Sequence, residues 1–372
     1  MKKILAMILA LVMVCGLVAC GGNGGNDESK GAESDTTVSV FWYDEGDAFL
    51  ATVRAALNKE FETAGVKVDN QFAANNQGKQ IDQIKTAVAG GSDILLVNQV
   101  TSGNPDTAKE IIEIAGDLPV IFFNRAIGDE ERPDLPVFEA HSNVVFIGTD
   151  APEAGHLQGR MVGEYVLEHY DEVDLNGDGK ISYAMFMGEK ANAEAIYRTQ
   201  YGVEDANKVL TEAGKPELEF FDPANTDKYQ LDLNGQWSAK AANDYMETNF
   251  LTYNEANNNM IELIICNNDG MAQGAIGALQ NKGYNKEGAH VVPVFGVDAI
   301  DPAKELIKDG AMAGTVKQDA EGLAQGIRQA VEQIASGKAP VEALAAVEGE
   351  IFSLAENCAS KLYVAYQPYT GE

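Results

Sequence analysis

From Thr36 onward, short apolar runs alternate with longer stretches whose apolar residues recur at helical spacing. Val38-Ser39-Val40-Phe41-Trp42 reads as a strand and Phe49 to Ala64 as a helix, and Val66 to Phe72 with Gln80 to Ala89 repeats the pair. Asp93 to Val97 and Val120 to Phe123 read as strands around a helix at Lys109 to Ala115. The same grammar restarts at Ile181 to Met187. It continues with a helix near Ala195 to Ala213, a strand at Leu218 to Phe221 and a helix near Ala239 to Phe250. A strand at Ile261 to Cys266, a helix at Met271 to Asn281 and a strand at Val291 to Phe295 complete it. Near-continuous β-branched runs separated by helices belong to strands buried on both faces, hence to parallel sheets covered by helices. Two such units in a chain too long for one core predict an α/β protein of two Rossmann-like, doubly wound lobes.

The N-terminus reads as an address. Lys2 and Lys3 precede an apolar run, Ile4 to Val18, that is too short and wrongly flanked for a spanning helix. Leu17-Val18-Ala19-Cys20 looks like a bacterial lipobox. Residues 1–19 are then a signal peptide, and Cys20 carries a lipid. The competing reading is an ordinary signal with an incidental cysteine. Gly21 to Gly25 and the polar run to Asp35 make 20–35 a flexible leash. The expected location is extracytoplasmic, tethered to the cell membrane.

Charge narrows the partners. The chain carries a net -30, which becomes -32 once Lys2 and Lys3 leave with the signal. Such acidity excludes nucleic acid and an electrostatic grip on anionic lipid, so the membrane is reached only through the anchor. No later apolar run is long enough to span a bilayer. Cys266 and Cys358 remain after processing and lack metal-site spacing. Cys266 closes an apolar strand, as a buried thiol does; whether the two pair is left open.

In open α/β sheets, ligands sit beyond the carboxyl ends of the strands. Those positions hold Asp47, Phe49, Asn98, Gln99, Asn124, Arg125, Arg198, Asn267, Asn268, Asp269 and Asp298. Amides, carboxylates and a guanidinium pair well with hydroxyls that both donate and accept, while Phe49 and Trp237 are candidate faces for the C–H patches of a sugar ring. Each acid alone would pass for a helix cap. No Gly-rich phosphate loop follows the first strand, and no HExxH or GxSxG pattern occurs. A monosaccharide-binding site without catalytic machinery is the simplest expectation.

A second constellation is Asp174-Leu175-Asn176-Gly177-Asp178-Gly179-Lys180-Ile181-Ser182. Asp174, Asn176 and Asp178 at positions one, three and five, with glycine at six, match a calcium loop. Lys180 would give its carbonyl and Ser182 its side chain, but position twelve is Met185 rather than glutamate. A plain Asx-rich turn is the alternative to a structural calcium ion.

Taken together, these residues resemble the periplasmic galactose/glucose-binding proteins, the substrate-binding components of ABC sugar importers. The resemblance runs from Val38 to about Tyr366 and is carried by Asp47-Ala48-Phe49-Leu50, Val120 to Asn124, Ile147 to Asp150, the loop at 174–182, Ile264 to Ala272, Val294 to Ala299 and Gly310 to Val316. It implies that Phe49 and Trp237 sandwich a pyranose gripped by Asp47, Asn124, Arg198, Asn268 and Asp298. It also implies that Glu262 closes the calcium shell. The family's His-x-Asp pair ahead of the arginine is here Asn192-Ala193-Glu194, a family asparagine is Gln318, and Ser182 replaces glutamine. These departures bear on which sugar is preferred. The resemblance further implies a three-segment hinge near Gly148–Asp150, Gln318–Ala320 and Val364–Tyr366. The lobes would be 36–147 with 319–363, and 148–318 with 364–372. A monomer that closes on sugar and is recognised by importer membrane subunits is expected; docking to a chemoreceptor is compatible and leaves no mark in the sequence. A sugar-acting enzyme using Asp298 and Asp47 as an acid–base pair is the rival of a different class. A binding protein for a pentose, autoinducer or methyl-galactoside is the nearer one.

Overall fold

A computed structural model describes residues 36–128 and 131–371. The expected signal peptide, leash and lipidated Cys20 lie outside them. The chain begins with β1 (Thr37–Trp42), α1 (Ala48–Ala64), β2 (Lys67–Phe72), α2 (Gln77–Ala89) and β3 (Ile94–Val97). It continues through α3 (Pro105–Ala115), β4 (Val120–Phe123), α4 (Leu135–Ala140) and β5 (Val144–Gly148). A second series follows: α5 (Ala151–Glu168), α6 (Tyr170–Val173), β6 (Ser182–Met187), α7 (Ala193–Glu212), β7 (Glu219–Phe220) and β8 (Gln230–Leu231). After it come α8 (Ala239–Asn249), β9 (Leu263–Cys266), α9 (Asp269–Lys282), β10 (Val294–Asp298), α10 (Asp301–Lys308) and β11 (Gly314–Lys317). The chain closes with α11 (Ala320–Ala335), α12 (Pro340–Leu344), β12 (Phe352–Ala355), β13 (Cys358–Val364) and β14 (Gln367–Tyr369).

The first sheet has the order β12-β13-β5-β4-β3-β1-β2, and the second β14-β11-β10-β9-β6-β7 with β8 beside β6. Pairings are parallel except β12 with β13 and β11 with β14. Both sheets repeat one winding, so each has a point where the strand order reverses: between β1 and β3, and between β6 and β9. Alternation along the strands fills both faces. Val38, Val40 and Trp42 pack with Leu50, Leu57 and Ile327 on one face, while Phe41 packs with Ile84 and Ile111 on the other. In the second sheet Ala184 and Phe186 face Met246 and Ala275, while Tyr183 and Met185 face Val162 and Leu210. The chain passes between the two lobes after β5, between β11 and α11, and between β13 and β14.

Several boundaries differ from the sequence expectation for local reasons. The second helix begins at Gln77, because the Asn76 side chain accepts from the Lys79 N–H. The third begins at Pro105, with Asn104 as its cap and proline in its first turn. The strand expected at Val291 to Phe295 runs instead from Val294 to Asp298, starting after Pro293, which has no N–H to give a ladder. Cys266 and Cys358 are both buried and free, one in each sheet.

Candidate functional site

The two switch points face one another across a single cavity. Its walls include all ten residues selected from the sequence: Asp47, Phe49, Asn124, Asn192, Glu194, Arg198, Trp237, Asn268, Asp298 and Gln318. Tyr43, Leu50 and Arg125 complete the lining. Three of the ten are also helix caps, as the simpler reading required. Asp47 Oδ1 accepts from the Leu50 N–H at 2.8 Å, Asn192 Oδ1 from the Ala195 N–H at 3.2 Å, and Asn268 Oδ1 from the Met271 N–H at 2.9 Å. Capping uses one atom of each side chain. It also aims the N-termini of α1, α7 and α9 at the cavity, where their unpaired N–H groups favour electron-rich ligand atoms.

Backbone strain concentrates in the same walls. Asn124, Trp237 and Asp298 have φ of 59°, 54° and 124°. A left-handed backbone is costly for a residue as bulky as tryptophan and is retained where neighbours over-determine it. Here Gly188 supplies the room: a Cβ on it would lie 2.2 Å from the Trp237 ring. The indole is 8% exposed and Phe49 6%, one ring from each lobe.

The polar half of the cavity centres on Arg198. Its Nη1 donates to the Asn267 carbonyl at 2.9 Å, and Nη2 reaches Glu194 Oε2 at 2.8 Å, Tyr366 Oη at 2.9 Å and Gln318 Oε1 at 3.0 Å. Burial opposes its charge, but Tyr366, Glu194 and Asp298 outweigh that and hold the guanidinium firmly protonated. Its Nε is buried with no protein partner, a donor that an enclosed ligand oxygen would satisfy. Burial pushes the Asp298 carboxyl well above the usual carboxylate range, against the pull of Arg198. Behind it, Asp269 is pushed up to about 7 by burial, while its oxygens accept from Thr315 Oγ1 at 2.6 Å and the Ile300 N–H at 2.9 Å.

Tyr43, Leu50 and Arg125 are the lining residues outside the ten; the sequence places Arg125 among the strand-end residues without assigning it a sugar contact, and does not single out Tyr43. The Arg125 Nε and Nη2 donate to the Gln99 and Val100 carbonyls, and its guanidinium stacks 4.0 Å from the Tyr43 ring centre. From that seat Nη2 crosses to Glu189 Oε2 of the second lobe at 2.6 Å. Arg125 directly follows Asn124 at a strand end, which is why the sequence counts it among the candidates. Tyr43 reads as the tail of β1, and only the fold shows its hydroxyl donating to Asp47 Oδ2 at 2.7 Å.

The arrangement can bury a flat ring against aromatic faces and match a hydroxylated rim with both donors and acceptors. Asp47 is tied to a cap and a tyrosine, and Asp298 sits beside a guanidinium.

The loop at 174–182 is tightly wound. Asp174 accepts from the N–H groups of Gly177, Asp178 and Gly179, Asn176 Oδ1 from Asp178, and Asp178 Oδ1 from Lys180. Gly177 and Gly179, with φ of 71° and 80°, permit the turn. Glu262 comes from just ahead of β9, accepting from the Asn176 and Ser182 N–H groups at 3.2 and 2.8 Å. Ser182 Oγ donates to the Met260 carbonyl at 2.6 Å. The acids are engaged with loop amides, and no three His, Cys, Asp or Glu side chains among the described residues are grouped as a metal site. The donor set nevertheless suits a hard cation: three carboxylates and an amide, with Glu262 1% exposed and its carboxyl raised by burial.

Comparison with known proteins agrees with this architecture. A family model described as a periplasmic binding protein domain matches residues 38–339. The chain is 31% identical over 322 residues to the D-galactose/methyl-galactoside binding periplasmic protein MglB of Haemophilus influenzae, covering 86% of this chain and 87% of that one. Among solved structures, an ABC transporter solute binding protein of Bacillus halodurans with bound myo-inositol superposes with a TM-score of 0.65 at 22% identity, over 92% and 96% of the two chains. A Clostridium phytofermentans solute binding protein with bound β-D-glucose gives 0.65 at 19% identity, over 90% and 94%. Two like-wound lobes, a cavity walled by both, and a match along most of the chain make this protein a member of the periplasmic binding protein family.

Proposed function

We propose that the protein binds a hexose, D-galactose or D-glucose, and delivers it to the membrane subunits of an ABC importer. Its relatives are sugar-binding proteins of transport rather than enzymes, and the family works outside the cytoplasm. The observation that carries the hexose reading is the pairing of Phe49 and Trp237, from different lobes, around a rim of amides, carboxylates and Arg198. Asp47 and Asp298 accept from hydroxyls, Arg198 Nε and the amide nitrogens of Asn192, Asn268 and Gln318 donate, and Asn124 does either. A sugar touching both lobes stabilises their closed arrangement, which the importer recognises. The galactose-binding relative supports a hexose.

The loop at 174–182 would hold a structural calcium ion through Asp174, Asn176, Asp178, the Lys180 carbonyl and Glu262, with Ser182 at its edge. The ion would supply the charge that Glu262 lacks as a buried partner. Cys20 would anchor a monomer to the membrane, and docking to a chemoreceptor is compatible with the same closed form. Among the described residues, no helix is long and apolar enough to cross a membrane.

A polyol such as myo-inositol is the second reading. Three of the roughly four acceptor sites of the Glu194 carboxylate are used by Thr149, Arg198 and Tyr366, which leaves the rim little acceptor capacity there. Melting curves against galactose, glucose, arabinose, ribose and myo-inositol separate the readings, since a ligand that binds only the folded state raises Tm by mass action. The largest rise with galactose or glucose is expected. The largest rise with inositol or a pentose refutes the hexose assignment.

A further inference from the structure

We infer that the Tyr366 hydroxyl is a positioning group for ligand binding: by accepting from Arg198 and donating to Glu194 it locks the cluster that joins the guanidinium to all three segments between the lobes. This rests on the reading of the cavity as a sugar site. Each crossing contributes one buried polar residue, Thr149 after β5, Gln318 after β11 and Tyr366 before β14. The Tyr366 hydroxyl has one proton and gives it to Glu194 Oε2 at 2.8 Å, its best acceptor. It accepts from Arg198 Nη2 at 2.9 Å and lies 3.0 Å from Thr149 Oγ1 and 3.3 Å from Gln318 Oε1. Thr149 Oγ1 in turn donates to Glu194 Oε1 at 2.9 Å, and Arg198 Nη2 reaches Gln318 Oε1 at 3.0 Å.

Arg198 is thus held to Gln318 and Tyr366 directly and to Thr149 through Glu194, in a desolvated knot where the two Nη2 protons are shared among three acceptors and each bond depends on its neighbours. Tyr366 itself is absent from the cavity walls, so its hydroxyl acts on a ligand only through Arg198 and the groups bonded to it. Rotation of one lobe on the other changes the spacing of Thr149, Gln318 and Tyr366 and therefore strains the bonds that aim the guanidinium. By reciprocity, a ligand that holds Arg198 in place biases the lobes toward one orientation.

Tyr366→Phe keeps the ring and removes the hydroxyl. Calorimetric titration with galactose and glucose is made in the wild-type and Arg198→Lys backgrounds. A loss of affinity of roughly tenfold or more is expected in the first background, and less than about twofold further loss in the second, because coupled residues are not additive. Equal losses in both overturn the inference, since a general structural effect ignores Arg198. Distances between spin labels at Lys85→Cys and Lys286→Cys, exposed positions on different lobes, are measured without sugar. The distribution should broaden in Tyr366→Phe, and an unchanged distribution overturns the inference. Thr149→Val removes the knot's first-crossing hydroxyl and repeats both measurements should the tyrosine variant fail to fold. If the wild type binds no sugar, the sugar reading falls, while the label distances still judge the knot.

Discussion

Replacing Gly188 with alanine tests whether the indole of Trp237 forms a wall of the ligand site. The added Cβ would lie 2.2 Å from the nearest ring atom, with two more ring atoms at 2.3 and 2.7 Å. Ordinary contact begins at 3.4 Å, so the ring has to retreat by about 1.2 Å. The ring cannot be re-aimed cheaply, because its backbone is already left-handed at φ 54°. Gly188 has no such φ itself, so alanine adds no backbone strain of its own. Overpacking costs about 1–3 kcal/mol, which is roughly 5- to 150-fold in affinity where it falls on the ligand-bound state. We therefore expect Gly188→Ala to fold, with Tm lowered by several degrees, and to lose galactose affinity by roughly 10- to 100-fold in calorimetry. In a Trp237→Ala background the same change should cost little further affinity. Undiminished affinity in Gly188→Ala would refute the placement of the indole against the ligand.

Four further outcomes follow from the geometry. Glu189→Gln removes the charge opposite Arg125, a pair whose side chains are 20% and 5% exposed. Affinity should fall about tenfold without reordering the sugars, a partly buried pair being worth roughly 1–3 kcal/mol to the closed form; a changed order would mean Glu189 touches the ligand. Excess calcium should raise Tm and chelator lower it, with Glu262→Gln abolishing the response; a chelator-insensitive wild type makes the loop a plain turn. Asp269 has a folded pKa raised to about 7, so its contribution to stability is full below the unfolded value near 3.8 and is lost as pH rises toward 7. The stability deficit of Asp269→Asn should accordingly shrink between pH 4 and 7, and a deficit that grows over that range contradicts the assigned environment. Arg198→Lys keeps the charge but loses the planar fork that sends Nη1 to the Asn267 carbonyl, Nη2 to the Glu194, Gln318 and Tyr366 group and Nε to the cavity, so sugar affinity should drop by more than about tenfold.

Strands such as β1, β3, β4, β6 and β9 were legible because burial on both sheet faces leaves unbroken apolar runs, as in Leu95, Leu96 and Val97. The strand-end rule was enough to gather Asp47, Asn124, Arg198, Asn268 and Asp298 before any coordinates. Strand β5 has the same unbroken run and was not singled out, whereas contacts made only by the fold leave no such local signal. Helix α5 packs on α7 through Gly155, Gly159 and Gly163, whose missing side chains let it approach the backbone of Tyr197, Tyr201 and Ala206. Glycine gives no hydrophobic signal of its own, so the side of α5 that touches α7 does not show as an apolar stripe. Arg125 and Glu189 are 64 residues apart and became partners only when the lobes met. Tyr366 is similar: nothing local distinguishes it from any tyrosine after a strand, and its role comes from the convergence of three distant segments.

The chain has two tryptophans, Trp42 and Trp237. Trp42 is wholly buried in the core of the first lobe, in edge contact with Phe123. Tryptophan emission during titration with galactose and glucose therefore reports on the cavity wall. A saturable change with one-site stoichiometry, lost in Trp237→Phe and retained in Trp42→Phe, is the predicted result. Emission indifferent to every monosaccharide, in a protein that calorimetry also finds inert, would contradict a sugar held between the lobes.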